Sequence, residues 1–119
     1  ASRGADPNSR GPAMAKWVRK VPPGAPQGVQ ILKATHQEIE IGWKPPLPIK
    51  GADSQALHGY EIAYTIEGAK PKRRLLDGST EAIIVRGLRP GQAVKGILVK
   101  ARNDYGWGPS SFPEITGRA

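Results

Sequence analysis

Residues 38–43 read Glu-Ile-Glu-Ile-Gly-Trp, and this stretch decides the fold class. The apolar residues Ile39, Ile41 and Trp43 alternate with Glu or Gly, which is the period-two pattern of a strand with one buried face. Pro45-Pro46 ends the pattern, because proline has no N–H for a sheet ladder and restricts the residue before it. The stretch therefore predicts a half-buried β-strand.

Six further segments show a similar short period, and glycine, proline and Asp-Gly turn signals separate them. They are 29–31, 60–65, 73–76 as a short edge strand, 82–86 with either face inward, 97–101, and a last strand that opens at Gly108-Pro109 and runs through Phe112 to Ile115. We find neither a long helical period nor a parallel βαβ unit. Seven such strands must bury their apolar faces between two sheets, which predicts an all-β, antiparallel β-sandwich.

The composition is that of one small domain. The chain has 119 residues with 12 prolines, 15 glycines and no cysteine, which excludes disulfides and cysteine-based zinc or thiol chemistry. No apolar run approaches the ~20 residues that a membrane-spanning helix needs. The formal net charge of +8 raises the prospect of acidic partners.

The chain divides into three parts. Residues 1–16 are small and polar, and Asp6-Pro7-Asn8-Ser9 matches the translation of two abutting cloning sites, so we interpret them as a disordered, vector-derived tail. A native disordered leader is the alternative. Residues 17–26 form a proline-rich linker, in which Trp17 either packs on the domain or belongs to a junction with a neighbouring module. Residues 27–117 form the domain itself.

Six short motifs follow one another over residues 22–116. They are Pro22-Pro23-Gly24-Ala25-Pro26, Val29-x-Ile31, Ile39-x-Ile41-x-Trp43-x-Pro45-Pro46, Gly59-Tyr60-x-Ile62-x-Tyr64, Gly87-Leu88-x-Pro90-Gly91 and Val99-x-Ala101-x-Asn103-x-x-Gly106-x-Gly108-Pro109-x-Ser111. In this order and spacing the chain resembles a fibronectin type III domain. The resemblance implies a seven-stranded, immunoglobulin-like sandwich. Its core would contain Trp43, Tyr60, Ile62 and Val99, with Leu88 closing the bottom and an acceptor for the Trp43 indole N–H.

The chain departs from the family pattern at two places. Members usually have a tyrosine shortly after Leu-x-Pro-Gly, and its hydroxyl bonds back to the turn, but Val94 or Lys95 stands there. One extra residue precedes Ile97, and we expect a β-bulge near Gly96 to absorb it. The second departure is the long segment 47–57, which we expect to form an extended loop.

Catalytic chemistry has little support in the sequence. His36 and His58 are the only histidines, and there is no Ser-His-Asp order, nucleophile elbow, phosphate-binding glycine loop or metal-ligand spacing. We therefore interpret both histidines as polar loop residues. We predict no enzyme activity and no cofactor.

The densest run of charge lies beside the predicted edge strand and comprises Lys70, Lys72, Arg73 and Arg74. It is either a contact for a polyanion such as a heparin-like glycan or a means of blocking strand-to-strand aggregation at the edge. No platform of paired exposed aromatic residues accompanies the run, which argues against nucleic-acid binding.

The stretch before the last predicted strand contains Asp104, Tyr105 and Trp107. Large amphipathic residues in a turn make good interface anchors, so these three are the candidates for contact with a protein partner. The alternative is that Tyr105 and Trp107 fold over the end of the sandwich.

Three functions fit these observations. The first is a monomeric, non-catalytic interaction and spacer module that contacts another protein or neighbouring modules. The resemblance implies the extracellular part of a cell-surface adhesion or receptor-like multidomain protein, with a cytoplasmic protein as the alternative and no membrane insertion of this segment. The second is a polyanion-binding module. The third is an accessory domain of a cytoskeletal protein or of an enzyme.

Overall fold

The computed structural model describes residues 20–52 and 56–119. Within them the chain forms eight strands and no helix. The strands are β1 (Gln27–Ala34), β2 (Ile39–Lys44), β3 (Gly59–Ile66), β4 (Pro71–Asp77), β5 (Ala82–Val85), β6 (Ala93–Asn103), β7 (Gly106–Trp107) and β8 (Ile115–Arg118).

The strands form two antiparallel sheets that pack face to face. The smaller sheet has the order β1-β2-β5, and the larger has the order β4-β3-β6-β7 with β8 also paired to β6. The predicted all-β, antiparallel sandwich is confirmed, as is the edge position of the strand that follows Lys70. The strand count is eight instead of seven.

The additional strand comes from the end of the chain, where the sequence interpretation was wrong. Gly106–Trp107 turns back onto β6 as a two-residue strand, and residues 108–114 belong to no strand. Phe112 is 94% exposed, and the final strand begins only at Ile115. Three prolines and glycines between 108 and 113 delay the pairing, since proline cannot donate to a ladder.

Alternation along the strands places the core between the sheets. In β5, Ile83 and Val85 turn inward, which settles the face that the sequence left open, and they lie in register with Ile41 and Ile39 of β2. The structure buries all of the proposed core residues. The main apolar cluster comprises Ile39, Ile41, Trp43, Tyr60, Ile62, Tyr64, Ile83, Val85, Leu88, Val94, Ile97, Val99 and Ala101.

Two aromatic rings meet at the centre of this cluster. Trp43 and Tyr60 pack edge to face, with ring centroids 5.6 Å apart and an interplanar angle of 65°. The expected acceptor for Trp43 Nε1 is absent from the described residues, and the Tyr60 hydroxyl also has no hydrogen-bond partner there. Burial, followed by the nearby charge of Glu81, raises the pKa of Tyr60.

The expected bulge is present in β6. Ala63 pairs with Leu98 while Thr65 pairs with Lys95, so β6 contains one residue more than β3 over this interval. Gly96 has a φ of 61°, a left-handed conformation that glycine adopts without strain. The bulge sets the register in which Ile97 points inward.

The turn before β6 is bonded by the side chain of Gln92, whereas members of the family that the sequence resembles usually bond it through a tyrosine hydroxyl. The side chain of Gln92 accepts a hydrogen bond from the Arg89 N–H at 3.0 Å and donates one to the Glu67 carbonyl at 2.9 Å. The Glu67 carboxylate in turn accepts the N–H of Ala93 at 3.1 Å. These bonds link the start of β6 to the end of β3 without the tyrosine hydroxyl.

Candidate interaction surface

The β6–β7 corner, which we define as residues 100–107, is organised by a buried amide. Asn103 ends β6, and its Oδ1 accepts the Tyr105 N–H at 2.8 Å, which closes the turn. Its Nδ2 donates to the Val21 carbonyl at 3.0 Å and so fixes the leading segment against the corner. Asn103 itself is buried, and satisfying both ends of a buried amide stabilises one arrangement of the turn.

The tip of the turn is held by a contact between Asp104 and His58. Asp104 Oδ1 lies 2.6 Å from His58 Nε2, and both side chains are about half exposed. The backbone N–H of His58 also donates to the Arg102 carbonyl at 2.7 Å. His58 therefore joins the end of the 47–57 loop to the corner, a contact that the sequence did not indicate.

Trp107 lies on the outer face of the larger sheet with two cations over its ring. It is directly opposite Arg102 in the β6–β7 ladder, and directly opposite residues share one face. Lys100 Nζ is 5.2 Å from the ring centroid and Arg102 Cζ is 5.6 Å from it. Both distances fall within the range of cation–π attraction, yet 37% of Trp107 stays exposed.

Lys100 belongs to a second interaction on the same face. Its Nζ lies 3.3 Å from Glu61 Oε1 on the neighbouring strand, and both side chains are substantially buried. Sequence reasoning missed Glu61, Lys100 and Arg102 as members of the site. The available signal was alternation: since Val99 and Ala101 turn inward, the residues between and after them must turn outward beside Trp107.

The three proposed contact residues do not form one patch. Trp107 lies on the sheet face, Asp104 lies at the turn tip with His58, and Tyr105 is half-buried between them. The corner as a whole thus combines a ring on an outer face with a turn whose polar groups are engaged.

The basic run is divided between the two faces of β4. Arg73 is in register with Ala63 on the outer face, whereas Lys72 and Arg74 are in register with the buried residues Tyr64 and Ile62 and so face the smaller sheet. Lys70 precedes the strand. Arg74 Nη1 donates to the Ile84 carbonyl at 3.4 Å, so this cation spans the open edge between the sheets.

A cleft of about 220 Å³ lies beside the corner, between the proline-rich leading segment and the described part of the 47–57 loop. Residues 53–55 of this loop, Trp17 and the 1–16 tail lie outside the described residues. The cleft is mostly apolar, with Leu47 66% exposed at its rim. Its lining comprises Val21, Pro22, Pro23, Gly24, Pro45, Pro46, Leu47, Pro48, Ile49, Ala52, Leu57 and Asn103.

The described part of the chain does not bring metal-ligating side chains together. Residues 20–52 and 56–119 contain no group of three or more His, Asp or Glu side chains placed to hold an ion. His36 lies exposed in a turn. Among the same residues there is no helix long and apolar enough to cross a membrane.

Solved structures share this fold. The FN5 domain of Drosophila Lar matches with a TM-score of 0.59 and 28% identity, over 82% of this chain and 96% of that one. The FN1–FN3 domains of chicken CNTN1 match with a TM-score of 0.63 and 22% identity, over 84% of this chain and 32% of that one. A comparison with curated proteins found no match.

The family model for the fibronectin type III domain matches residues 24–116. This span contains every strand up to the first residues of β8. The resemblance in the sequence motifs is thereby confirmed, and the chain belongs to the fibronectin type III family.

Proposed function

We propose that this chain is a non-catalytic protein-interaction and spacer module of a cell-surface multidomain protein, and that it contacts its partner through the β6–β7 corner. Domains of this family are commonly interaction or spacer modules. The observation that carries the proposal is Trp107, an indole held by two cations on an outer sheet face with more than a third of its surface exposed.

The corner has the composition of an interface centre. Tryptophan and arginine are enriched among residues that dominate binding energy, and Trp107 and Arg102 are neighbours here. Cations over the ring and the closed Asn103 turn restrict the motion of these side chains before a partner arrives. Less ordering entropy is then lost on binding.

The path of the chain supports the spacer role. The leading segment is bonded at Val21 to Asn103, the last residue of β6. At the other end, Ala119 exchanges backbone hydrogen bonds with Gly91 and Gln92, immediately before β6. Val21 and Ala119 therefore contact opposite ends of β6, an 11-residue strand that spans about 33 Å at ~3.3 Å per residue.

The similar solved structures support a modular context. The Lar structure is the FN5 domain and the CNTN1 structure contains the domains FN1–FN3, of which this chain spans about one third. This similarity supports an extracellular location for the module. A cytoplasmic home is the competing assignment.

An array of cell-surface ectodomains tests the proposal. The biotinylated chain is applied beside a Tyr105→Ala, Trp107→Ala double variant and a Phe112→Ala control, which removes a more exposed ring outside the corner. We expect at least one reproducible partner whose binding the double variant weakens and the control retains. Binding that both variants retain would remove the corner from the proposal, and an array without partners would remove the interaction role.

A further inference from the structure

Arg102 is a cation held in place without an acidic partner. Its Cζ lies 5.6 Å from the Trp107 ring centroid. No carboxylate of residues 20–52 and 56–119 forms an ion pair with it, although Lys100 beside it has one. Gly59, its register partner on β3, offers no side chain.

Three acidic side chains of the described residues lie on or next to the strands around Arg102, and each contacts another group. Asp77 of β4 is the other register partner of Gly59, so it lies two strands away from Arg102 at the same level of the sheet. Its side chain bonds within its own loop instead. The three engaged carboxylates are Glu61 with Lys100 at 3.3 Å, Asp104 with His58 at 2.6 Å, and Asp77 with the Ser79 hydroxyl at 2.7 Å. The fold thus leaves the guanidinium with its N–H donors available on the outer face.

We propose that Arg102 and Trp107 anchor a carboxylate from an acidic, partly apolar protein segment, an inference that rests on the proposed function of the corner and specifies its partner. A guanidinium presents a planar fork that matches a carboxylate with two parallel hydrogen bonds. The indole holds that fork near one position, so the side-chain entropy lost on binding is reduced. The positive net charge of +8 steers an acidic segment toward it.

The surroundings favour a protein segment over a sulfated glycan. Leu75 is 73% exposed on the same outer face, where it lies in register with Glu61, and Leu98 lies two residues before Lys100 on that face. Apolar side chains between charges suit a segment that alternates acidic and apolar residues. A glycan chain instead needs a continuous row of cations, and the division of the basic run between two faces of β4 interrupts that row.

Titration of the full chain with defined probes tests the inference by NMR. The probes are the peptide Ac-Glu-Leu-Glu-Leu-Glu-NH₂, its glutamine analogue, and a heparin-derived hexasaccharide. We expect the glutamate peptide to shift the Arg102 Nε–H and Trp107 Nε1–H signals and the glutamine analogue to leave them in place. Arg102→Gln should weaken the peptide about tenfold, the equivalent of one charge-assisted hydrogen bond.

Arg73→Gln is the matched control, because it removes the same charge from the same face without touching Trp107. It should change peptide affinity less than about twofold, since exposed charges away from the contact act weakly. Trp107→Leu keeps an apolar side chain and should weaken the peptide as Arg102→Gln does. A thermal melt of each variant shows whether it is folded.

Several outcomes would overturn the inference. Equal losses in Arg73→Gln and Arg102→Gln would mean diffuse charge attraction, and equal binding of the glutamine analogue would mean that no carboxylate is recognised. Corner shifts from the hexasaccharide alone would assign the site to a glycan. An array partner that is sensitive to Trp107→Ala but indifferent to Arg102→Gln would preserve the interaction role and remove only its acidic partner.

Discussion

Two tryptophans of this molecule occupy opposite environments. Trp43 is 3% exposed, packs edge-on against Tyr60, and has an indole N–H without a partner in the described residues. Trp107 is 37% exposed and lies beneath Lys100 and Arg102 on an outer face. The same side chain thus contributes apolar bulk in one place and a surface for cations in the other.

The two environments differ in how completely their polar groups are hydrogen-bonded. In the interior, Trp43 and Tyr60 each have one polar atom without a partner among the described residues, a cost that is offset by the large apolar area that their rings bring into the core. In the β6–β7 corner, by contrast, the side chain of the buried Asn103 is hydrogen-bonded at both its oxygen and its nitrogen. We infer that Trp43 is mainly a stability residue, whereas Trp107 is mainly a recognition residue.

Replacing each tryptophan by alanine should reveal the largest difference between the two positions. Trp43→Ala leaves a cavity among close-packed neighbours and should lower the free energy of unfolding by about 3–5 kcal/mol. Trp107→Ala removes a partly exposed ring and two cation–π contacts, and should cost about 1 kcal/mol. Urea denaturation followed by far-UV circular dichroism measures both, and equal losses would contradict the assignment of separate roles.

Gly96→Ala tests the β-bulge that directs alternate residues of β6 to the inner and outer faces. The bulge at Gly96 directs Ile97 inward and Lys100 outward, and a one-residue slip of β6 would exchange its faces. Alanine at a φ of 61° should lower the free energy of unfolding by about 1–2 kcal/mol. Gly24→Ala is the matched control, because its added Cβ would meet neighbours only at an ordinary 3.7 Å. An equal cost for both variants would refute the strained position.

The interior was predictable from the sequence because burial imposes a period. Ile39, Ile41 and Trp43 alternate with polar residues, and the structure buries all three. The bulge near Gly96 was predictable through the resemblance, because the chain has one residue more before Ile97 than the family pattern and glycine can take a left-handed conformation. The first inference rests on alternation along one strand, and the second on comparison with the family pattern.

The arrangement of the outer face depends on which residues of neighbouring strands lie opposite each other. The sequence alone does not specify that register. Trp107 was expected in a loop, but the two-residue strand β7 brings it opposite Arg102. The division of the basic run followed from the register of β4 with β3. The bonds of Gln92 at the turn were missed as well, because a glutamine in a polar turn has no sequence signature for a structural role.

Tyr60→Phe sharpens the description of the interior. The hydroxyl is buried and unpartnered in the described residues, so its removal should raise the free energy of unfolding by about 1 kcal/mol. The pKa of Tyr60 is raised by burial, so the folded state favours the protonated phenol. The stability that this preference gives the wild type is therefore present below about pH 10 and is lost as the pH rises further. The phenylalanine variant has no ionisable hydroxyl and does not show this loss.

Tyr64→Phe is the control for that experiment, because Tyr64 is also buried but its hydroxyl is not among the buried atoms without a partner. Urea denaturation at pH 7 and above pH 10 should show a gain for Tyr60→Phe that widens with pH. Tyr64→Phe should show no gain. Destabilisation by Tyr60→Phe at pH 7 would reveal a partner for the hydroxyl.

Asp77→Asn should have the smallest effect. It tests an exposed turn in which the polar groups are hydrogen-bonded. Asp77 Oδ1 accepts from the Ser79 hydroxyl at 2.7 Å, the Ser79 N–H at 2.9 Å and the Thr80 hydroxyl at 3.0 Å. These bonds, led by the Ser79 hydroxyl, lower the pKa of Asp77. Its contribution to stability is therefore present at neutral pH and lost as the pH falls through the lowered pKa of the folded state.

Thermal melts from pH 7 down to about pH 2 should show a deficit for Asp77→Asn that closes below the ordinary carboxyl range near pH 4. A deficit for Asp77→Asn that stays constant with pH would mean that the charge of Asp77 does not stabilise the turn.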